Sequence, residues 1–220
     1  MKRLALGFMV VAILGLVLAI PTPARADAQV EAIFARVRQI NPGLNDYQAD
    51  IDISLKAKVA FLPYNPTMSG TYYHKRPDKH KLVLEKAPSY VKKYPNIFGW
   101  NLPVLEKFNS RVAEQTDLAG QPTWRITMTP KQGMGDIQMV EIWVNRNDYS
   151  IPRQVTHYKN NGLLGVNVAY RQTEGFLVFD RMTAEFQFPA VSVSATATAN
   201  YANYRFNQGL SDEFFKKQKK

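Results

Sequence analysis

Two stretches of strict alternation constrain this chain more than any other feature. From Tyr47 to Val59, the apolar residues Tyr47, Ala49, Ile51, Ile53, Leu55, Ala57 and Val59 interleave with Gln48, Asp50, Asp52, Ser54, Lys56 and Lys58. From Val191 to Tyr201, Val191, Val193, Ala195, Ala197, Ala199 and Tyr201 interleave with Ser192, Ser194, Thr196, Thr198 and Asn200. Side chains along a strand point to opposite faces in turn, whereas a helix would scatter these residues round its axis. Each stretch is therefore a long strand with one dry face and one wet face. A protein built on such strands must find something to lay against the dry side.

The remaining pattern supplies more strands and little helix. Thr67–Lys75 and Lys79–Glu85 flank Arg76-Pro77-Asp78, and Phe108–Gln115 is followed by the turn Asp117-Leu118-Ala119-Gly120. Trp124, Ile126 and Met128 alternate with Arg125, Thr127 and Thr129, and strands are expected at 139–145, 151–159, 164–171 and 177–188. Asn160-Asn161-Gly162 is a strong hairpin signal. About ten antiparallel strands are expected in all. One amphipathic helix is expected over Asp27–Ile40, with Val30, Ile33, Phe34 and Val37 on one stripe and Asn41-Pro42-Gly43 as its stop. Pro63-Tyr64-Asn65-Pro66 reads as a turn, and Ser211 can cap a short last helix carrying Phe214 and Phe215. Neither an internal repeat nor a dividing linker is present. The fold class expected is mainly β: a single antiparallel sheet curled round its own apolar face.

The segment Pro88–Lys107 breaks this rhythm. It holds three prolines with Tyr90, Tyr94, Phe98 and Trp100, and short helical turns suit it better than a strand. So aromatic a segment must bury itself, and a curled sheet without a second sheet offers its dry face. We expect a lid over an apolar cavity, with Phe98 and Trp100 touching the contents and Tyr72, Trp124, Met128 and Trp143 as candidates for the wall.

The first 26 residues read as an export signal. Lys2 and Arg3 precede an uncharged apolar run from Leu4 to Ile20, and Ala24-Arg25-Ala26 forms a small-x-small cleavage site. Cleavage after Ala26 leaves residues 27–220 as one domain outside the cytoplasm. The chain carries a net charge of +10, three of its basic residues lying in this leader. The other Lys and Arg are spread over the sequence, apart from the group Lys216, Lys217, Lys219 and Lys220. Such a surface can meet an anionic membrane or an acidic partner, or can simply be solvated.

Catalytic signatures are missing. The chain has no Cys, which excludes thiol nucleophiles, thiolate metal sites, disulfides and an acylated N-terminal cysteine. His74, His80 and His157 are its only histidines, and none stands in a metal-ligand spacing, although His74 and His80 flank one turn. Asp50 and Asp52 share the wet side of a strand, where carboxylates usually solubilise. The run Tyr72-Tyr73-His74-Lys75-Arg76 mixes base-stacking and phosphate-binding residue types, but an exported chain is a poor nucleic-acid binder. No G-x-S-x-G elbow or phosphate loop occurs. We expect no enzymatic activity, no cofactor and no metal.

The order of elements, together with Gly70-Thr71-Tyr72-Tyr73-His74-Lys75-Arg76-Pro77-Asp78-Lys79, resembles the outer-membrane lipoprotein carrier (LolA-like) family. Further similar stretches are Asp117–Gly120, Ile142-Trp143-Val144-Asn145 with Ile151-Pro152-Arg153, and Tyr204–Asn207 with Asp212–Phe215. The resemblance covers nearly all of residues 27–220 and implies an unclosed β-barrel with a helical lid, in the periplasm. It also implies lipoprotein acyl chains or another lipidic ligand, with membrane-bound donor and acceptor proteins as partners. A regulatory branch of the same fold docks a protein instead, which is the alternative reading. Cleavage makes the first prediction: N-terminal sequencing of the exported protein begins at Asp27, and a full-length membrane-bound product would overturn it.

Overall fold

The computed structural model describes residues 23–59, 62–86, 102–131, 135–189 and 193–216. The first alternating stretch forms β1 (Asp46–Val59) and the second lies in β11 (Val193–Phe206), and the two pair with each other. Chain order gives β2 (Leu62–Tyr64), β3 (Thr67–Lys75), β4 (Lys79–Lys86), β5 (Phe108–Leu118), β6 (Gln121–Pro130), β7 (Ile137–Asn145), β8 (Arg153–Tyr158), β9 (Leu163–Thr173) and β10 (Phe176–Phe188). Every pairing is antiparallel, in the order β4-β3-β1-β11-β10-β9-β8-β7-β6-β5, with β2 added to the end of β1. The eleven strands make one sheet with β4 at one end and β5 at the other, so it does not close into a barrel.

The sheet is strongly curved. Strands β3 and β10 are three places apart, which in a flat sheet is about 14 Å. The rings of Tyr72 on β3 and Phe179 on β10 nevertheless stand 6.4 Å apart, and Tyr72 lies 5.7 Å from Tyr201 across one intervening strand. Side chains from separated strands converge only on a concave face. A bulge helps: the β1–β11 register shifts between Gln48 and Asp50, Asn203 takes φ 51°, and both Tyr201 and Tyr204 turn inward.

Helix α1 (Pro23–Arg38) lies on this face beside β5. Val30, Ile33, Phe34 and Val37 are its buried stripe, packed with Phe108, Ile126, Met128, Val140, Ile142 and Val144 of β5–β7. The helix starts four residues before the expected Asp27, with Pro23 at its first position, where the missing N–H costs nothing. Beyond its end, Asn41 takes φ 60° and its amide pairs both ways with the backbone of Leu177 on β10. Arg76 then gathers the carbonyls there, donating to Arg38, to Ile40 at 3.1 Å and to Asn41 at 3.0 Å. These oxygens have no partner within a helix, and the guanidinium supplies both donors and positive charge.

A second tie uses Asp46, which is 3 % exposed. Its carboxylate accepts from the backbone N–H of Gln208, Gly209 and Leu210 at 2.7, 3.1 and 3.2 Å. The following short helix α2 (Asp212–Phe215), capped by Ser211, lies on the outer side of β3–β4. There Lys75 and Lys79 hydrogen-bond Asp212 and hold its carboxyl down to about 2, while Lys81 sits 4.1 Å over the Phe214 ring.

Other differences from the sequence reading are small. Pro63-Tyr64 belongs to a strand pairing with β1, not only to a turn. Strand β8 starts at Arg153 and not at Ile151, because Pro152 has no N–H for the ladder. Residues 1–22 of the expected signal and 88–101 of the expected lid lie outside the described residues, and Leu105–Lys107 forms a 3₁₀ turn. Among the described residues no helix is long and apolar enough to cross a membrane. Phe34 is fully buried, so Phe34→Ala is expected to lower unfolding free energy by about 3–5 kcal/mol in urea titration. The exposed Arg36→Ala should change it by less than about 0.5 kcal/mol.

Candidate functional site

Between α1 and the aromatic end of the sheet, the concave face carries a regular array. The registers place Ala57, Ala195, Phe186, Leu164 and Thr156 in one row across β1, β11, β10, β9 and β8. The next row is Leu55, Ala197, Ala184, Val166 and Gln154 on the same strands. Ala57, Ala184, Ala195, Leu55, Leu164 and Phe186 are only half-buried. Alanine at four of the ten positions keeps the floor low, while Phe186 and Leu164 stand up beside it. A depression of about 290 Å³ beside β2 is lined mainly by Lys56, Glu185, Gln187, Ser194 and Thr196, which belong to the outer face, and so lies behind the array and not in it. One polar atom marks the array: Gln154 Oε1 is buried and accepts no hydrogen bond among the described residues. An unpaired buried acceptor costs about 1–3 kcal/mol. The arrangement can hold an elongated apolar group and accept one hydrogen bond from it.

Toward the far end lies an aromatic cluster of Tyr47, Tyr72, Tyr201, Tyr204, Phe179 and Phe206. Burial pushes the phenols of Tyr47, Tyr72, Tyr170, Tyr201 and Tyr204 up, so all are neutral hydrogen-bonding groups at ordinary pH. Tyr204 donates to the Phe179 carbonyl at 2.6 Å and Tyr170 to that of Ile151 at 3.1 Å. His74 joins the cluster 5.0 Å from the Tyr47 ring and opposite His80. Burial, then His80 and Arg76, lower its pKa to about 4 against the opposing pull of Asp78.

The residues proposed from sequence for the cavity wall are dispersed. Tyr72 is buried in the aromatic cluster, and Met128 is fully buried beneath α1. Trp124 is half-buried at the edge of the helix-covered core, 5.8 Å from Tyr149 and 5.7 Å below Arg146. Trp143 lies on the opposite, outer face, since its strand neighbours Ile142 and Val144 point inward, and Arg153 covers its ring at 5.5 Å. Phe98 and Trp100 lie outside the described residues. Sequence reasoning passed over Leu164, Phe186 and Gln154. The available signal was alanine, and not a bulky residue, at every second position of 195–199.

The outer face carries a linked group of ionisable side chains. Arg125 bridges Glu114 at 2.9 Å and Glu141 at 3.0 Å, and Glu141 also meets His157 Nε2 at 2.8 Å. These residues occupy successive strands β5 to β8. Cross-strand ion pairs of this kind stabilise a sheet modestly. Among the described residues no three His, Asp or Glu side chains are grouped to hold a metal.

No protein-family model and no curated protein matches the sequence. Solved structures do. A DUF1329 family protein from Desulfovibrio piger superposes with a TM-score of 0.67 at 14% identity, over 87% of this chain and 97% of its own. A structure described as an outer membrane lipoprotein-sorting protein domain, from Vibrio parahaemolyticus, gives 0.62 at 14% identity, over 88% and 97%. A LolA superfamily protein from Nitrosomonas europaea gives 0.57 at 10% identity, over 85% and 97%. The chain has a LolA-like fold: one unclosed antiparallel sheet with a helix on its concave face. At these identities the likeness is one of fold.

The state of His74 makes a prediction about pH. The unfolded chain takes up a proton near pH 6.5, but the folded chain refuses it until about 4. Stability is therefore lost as pH falls through that interval. Urea midpoints of wild type should drop between pH 7 and 4.5 more steeply than those of His74→Gln, and parallel curves would refute the assignment.

Proposed function

We propose that this protein is a periplasmic binding and carrier protein for acyl chains or a comparable lipidic ligand, held in the alanine-floored trough between β1 and β8. The observation carrying the reading is the double row of small and apolar side chains that α1 leaves half-buried on the concave face. A soluble protein does not ordinarily keep such an apolar strip partly wet unless something else covers it. Each buried CH₂ contributes about 0.8 kcal/mol, so half of a long acyl chain supplies roughly 6 kcal/mol before ordering costs. That is a reversible, carrier-like affinity. Gln154 Oε1 suits an amide or hydroxyl near the head of the chain. Residues 27–220, as the single mature domain after cleavage at Ala26, and a binding rather than a catalytic role complete the proposal. The lipoprotein-sorting description of the Vibrio structure agrees with it.

A fluorescent fatty acid, dansyl-undecanoic acid, tests the trough. Its emission should shift to the blue and saturate below micelle formation. Ala195→Phe, which raises the floor, should weaken binding at least about tenfold, or roughly 1.4 kcal/mol. Thr196→Phe points to the other face and should leave binding unchanged, with far-ultraviolet circular dichroism preserved in both. Absence of saturable binding, or equal effects of the two substitutions, would remove the carrier reading.

A further inference from the structure

A second cavity lies where α1 meets edge strand β5, at the opposite side of the concave face from the trough. Its volume is about 390 Å³, within the range of small-ligand sites. Val30 and Phe108, both nearly fully buried, contribute an apolar floor. Ser110 also lines it, from the β5 position that pairs with Met128 and so faces α1. Only 8 % of Ser110 is exposed, and its hydroxyl makes no hydrogen bond among the described residues. A buried hydroxyl can be satisfied by a ligand that reaches it.

The rim is charged in both signs. Glu31 and Arg38 come from α1, and Glu106 and Lys131 from the β5–β6 side. Glu31 and Arg38 are seven residues apart, hence on one flank of the helix and about 10 Å apart along its axis. Among the described residues none of the four forms an ion pair, although pairs form readily elsewhere on the surface, as between Lys75 and Asp212. A simple anion here would meet two carboxylates, and a simple cation would meet a guanidinium and an ammonium. A ligand carrying both signs meets complementary charge for each.

We propose that this cavity binds a zwitterionic phosphodiester headgroup of the phosphoethanolamine type. Ser110, Arg38 and Lys131 donate to the phosphate oxygens, and Glu31 and Glu106 receive the ammonium. Phosphate oxygens are strong acceptors for a hydroxyl and for both cationic side chains. The apolar floor suits the glycerol carbons. The site lies apart from the trough and does not depend on acyl binding there, so its test uses a headgroup without chains.

The experiment is a nuclear magnetic resonance titration of ¹⁵N-labelled protein with glycerophosphoethanolamine. Saturable shifts are expected at Val30, Phe108, Ser110 and Lys131, with a dissociation constant on the order of 1–10 mM. Glycerophosphoglycerol, which lacks the ammonium, should bind roughly tenfold more weakly. Ser110→Ala and Lys131→Glu should each weaken binding by roughly tenfold. Lys131 is exposed, so its substitution remains informative even where Ser110→Ala disturbs packing. Three results would overturn the proposal: no saturable shift, equal binding of the two diesters, or wild-type affinity in Lys131→Glu. Competition by glycine as strong as that of the diester would overturn it too, by assigning the cavity to free zwitterions. Failure of the fatty-acid experiment leaves these outcomes unaffected.

Discussion

Burial of one apolar face without a second sheet to cover it is the constraint behind most of this structure. A sandwich solves the problem with a facing sheet and a barrel by closure. This protein does neither. Over β5–β7 the cover is a helix whose buried stripe of Val30, Ile33, Phe34 and Val37 fills the face directly. Over β3, β1, β11 and β10 the sheet covers itself, by bending until tyrosines from non-adjacent strands touch. The two solutions differ in chemistry, mainly aliphatic with two phenylalanines under the helix and rich in tyrosine on the other side. The trough is what lies between them, where alanine at four of the ten positions leaves the floor low.

An unclosed sheet also has ends to manage. Strand β4, the last strand on its side among the described residues, carries Lys79 and Lys81, both engaged by α2, and Lys86, a charge that discourages another strand from adding there. Strand β5 carries a register shift between Val112 and Glu114, which interrupts a regular edge ladder. Two side chains tie distant segments to this framework. Arg76 joins the β3–β4 turn to the end of α1, and Asp46 joins the start of β1 to the chain after β11. Both act on backbone groups, so they fix position without depending on the identity of the residues they hold.

Much of this was legible in the sequence because its signals are periodic. The alternation from Tyr47 to Ile53 matches the buried set Tyr47, Ala49, Ile51 and Ile53 of β1, with Leu55 and Ala57 half-buried further along, and the stripe 30–33–34–37 matches the contact face of α1. Turns were marked by residues that accept positive φ, such as Asn161 at 59° and Gly120 at 81°. What was not legible depends on three-dimensional parity and distance. Trp143 and Met128 look equivalent as large apolar residues on strands, but one faces outward under Arg153 and the other lies beneath α1. The trough is hard to read from sequence because large apolar residues mark packed cores, whereas an open floor is left by small ones. Arg76 was visible in a motif, yet its carbonyl partners are 35 to 38 residues away.

The carboxylate of Asp46 has a consequence for the timing of local motion. Gln208 and Gly209 are exposed loop residues, and loop amides ordinarily trade hydrogen with water quickly. Here their N–H groups, with that of Leu210, share one buried acceptor that belongs to the opening of β1. None can be released alone without leaving the same charge less well solvated. The three amides therefore belong to one cooperative unit with the first turn of the sheet, and a surface loop takes its clock from the interior.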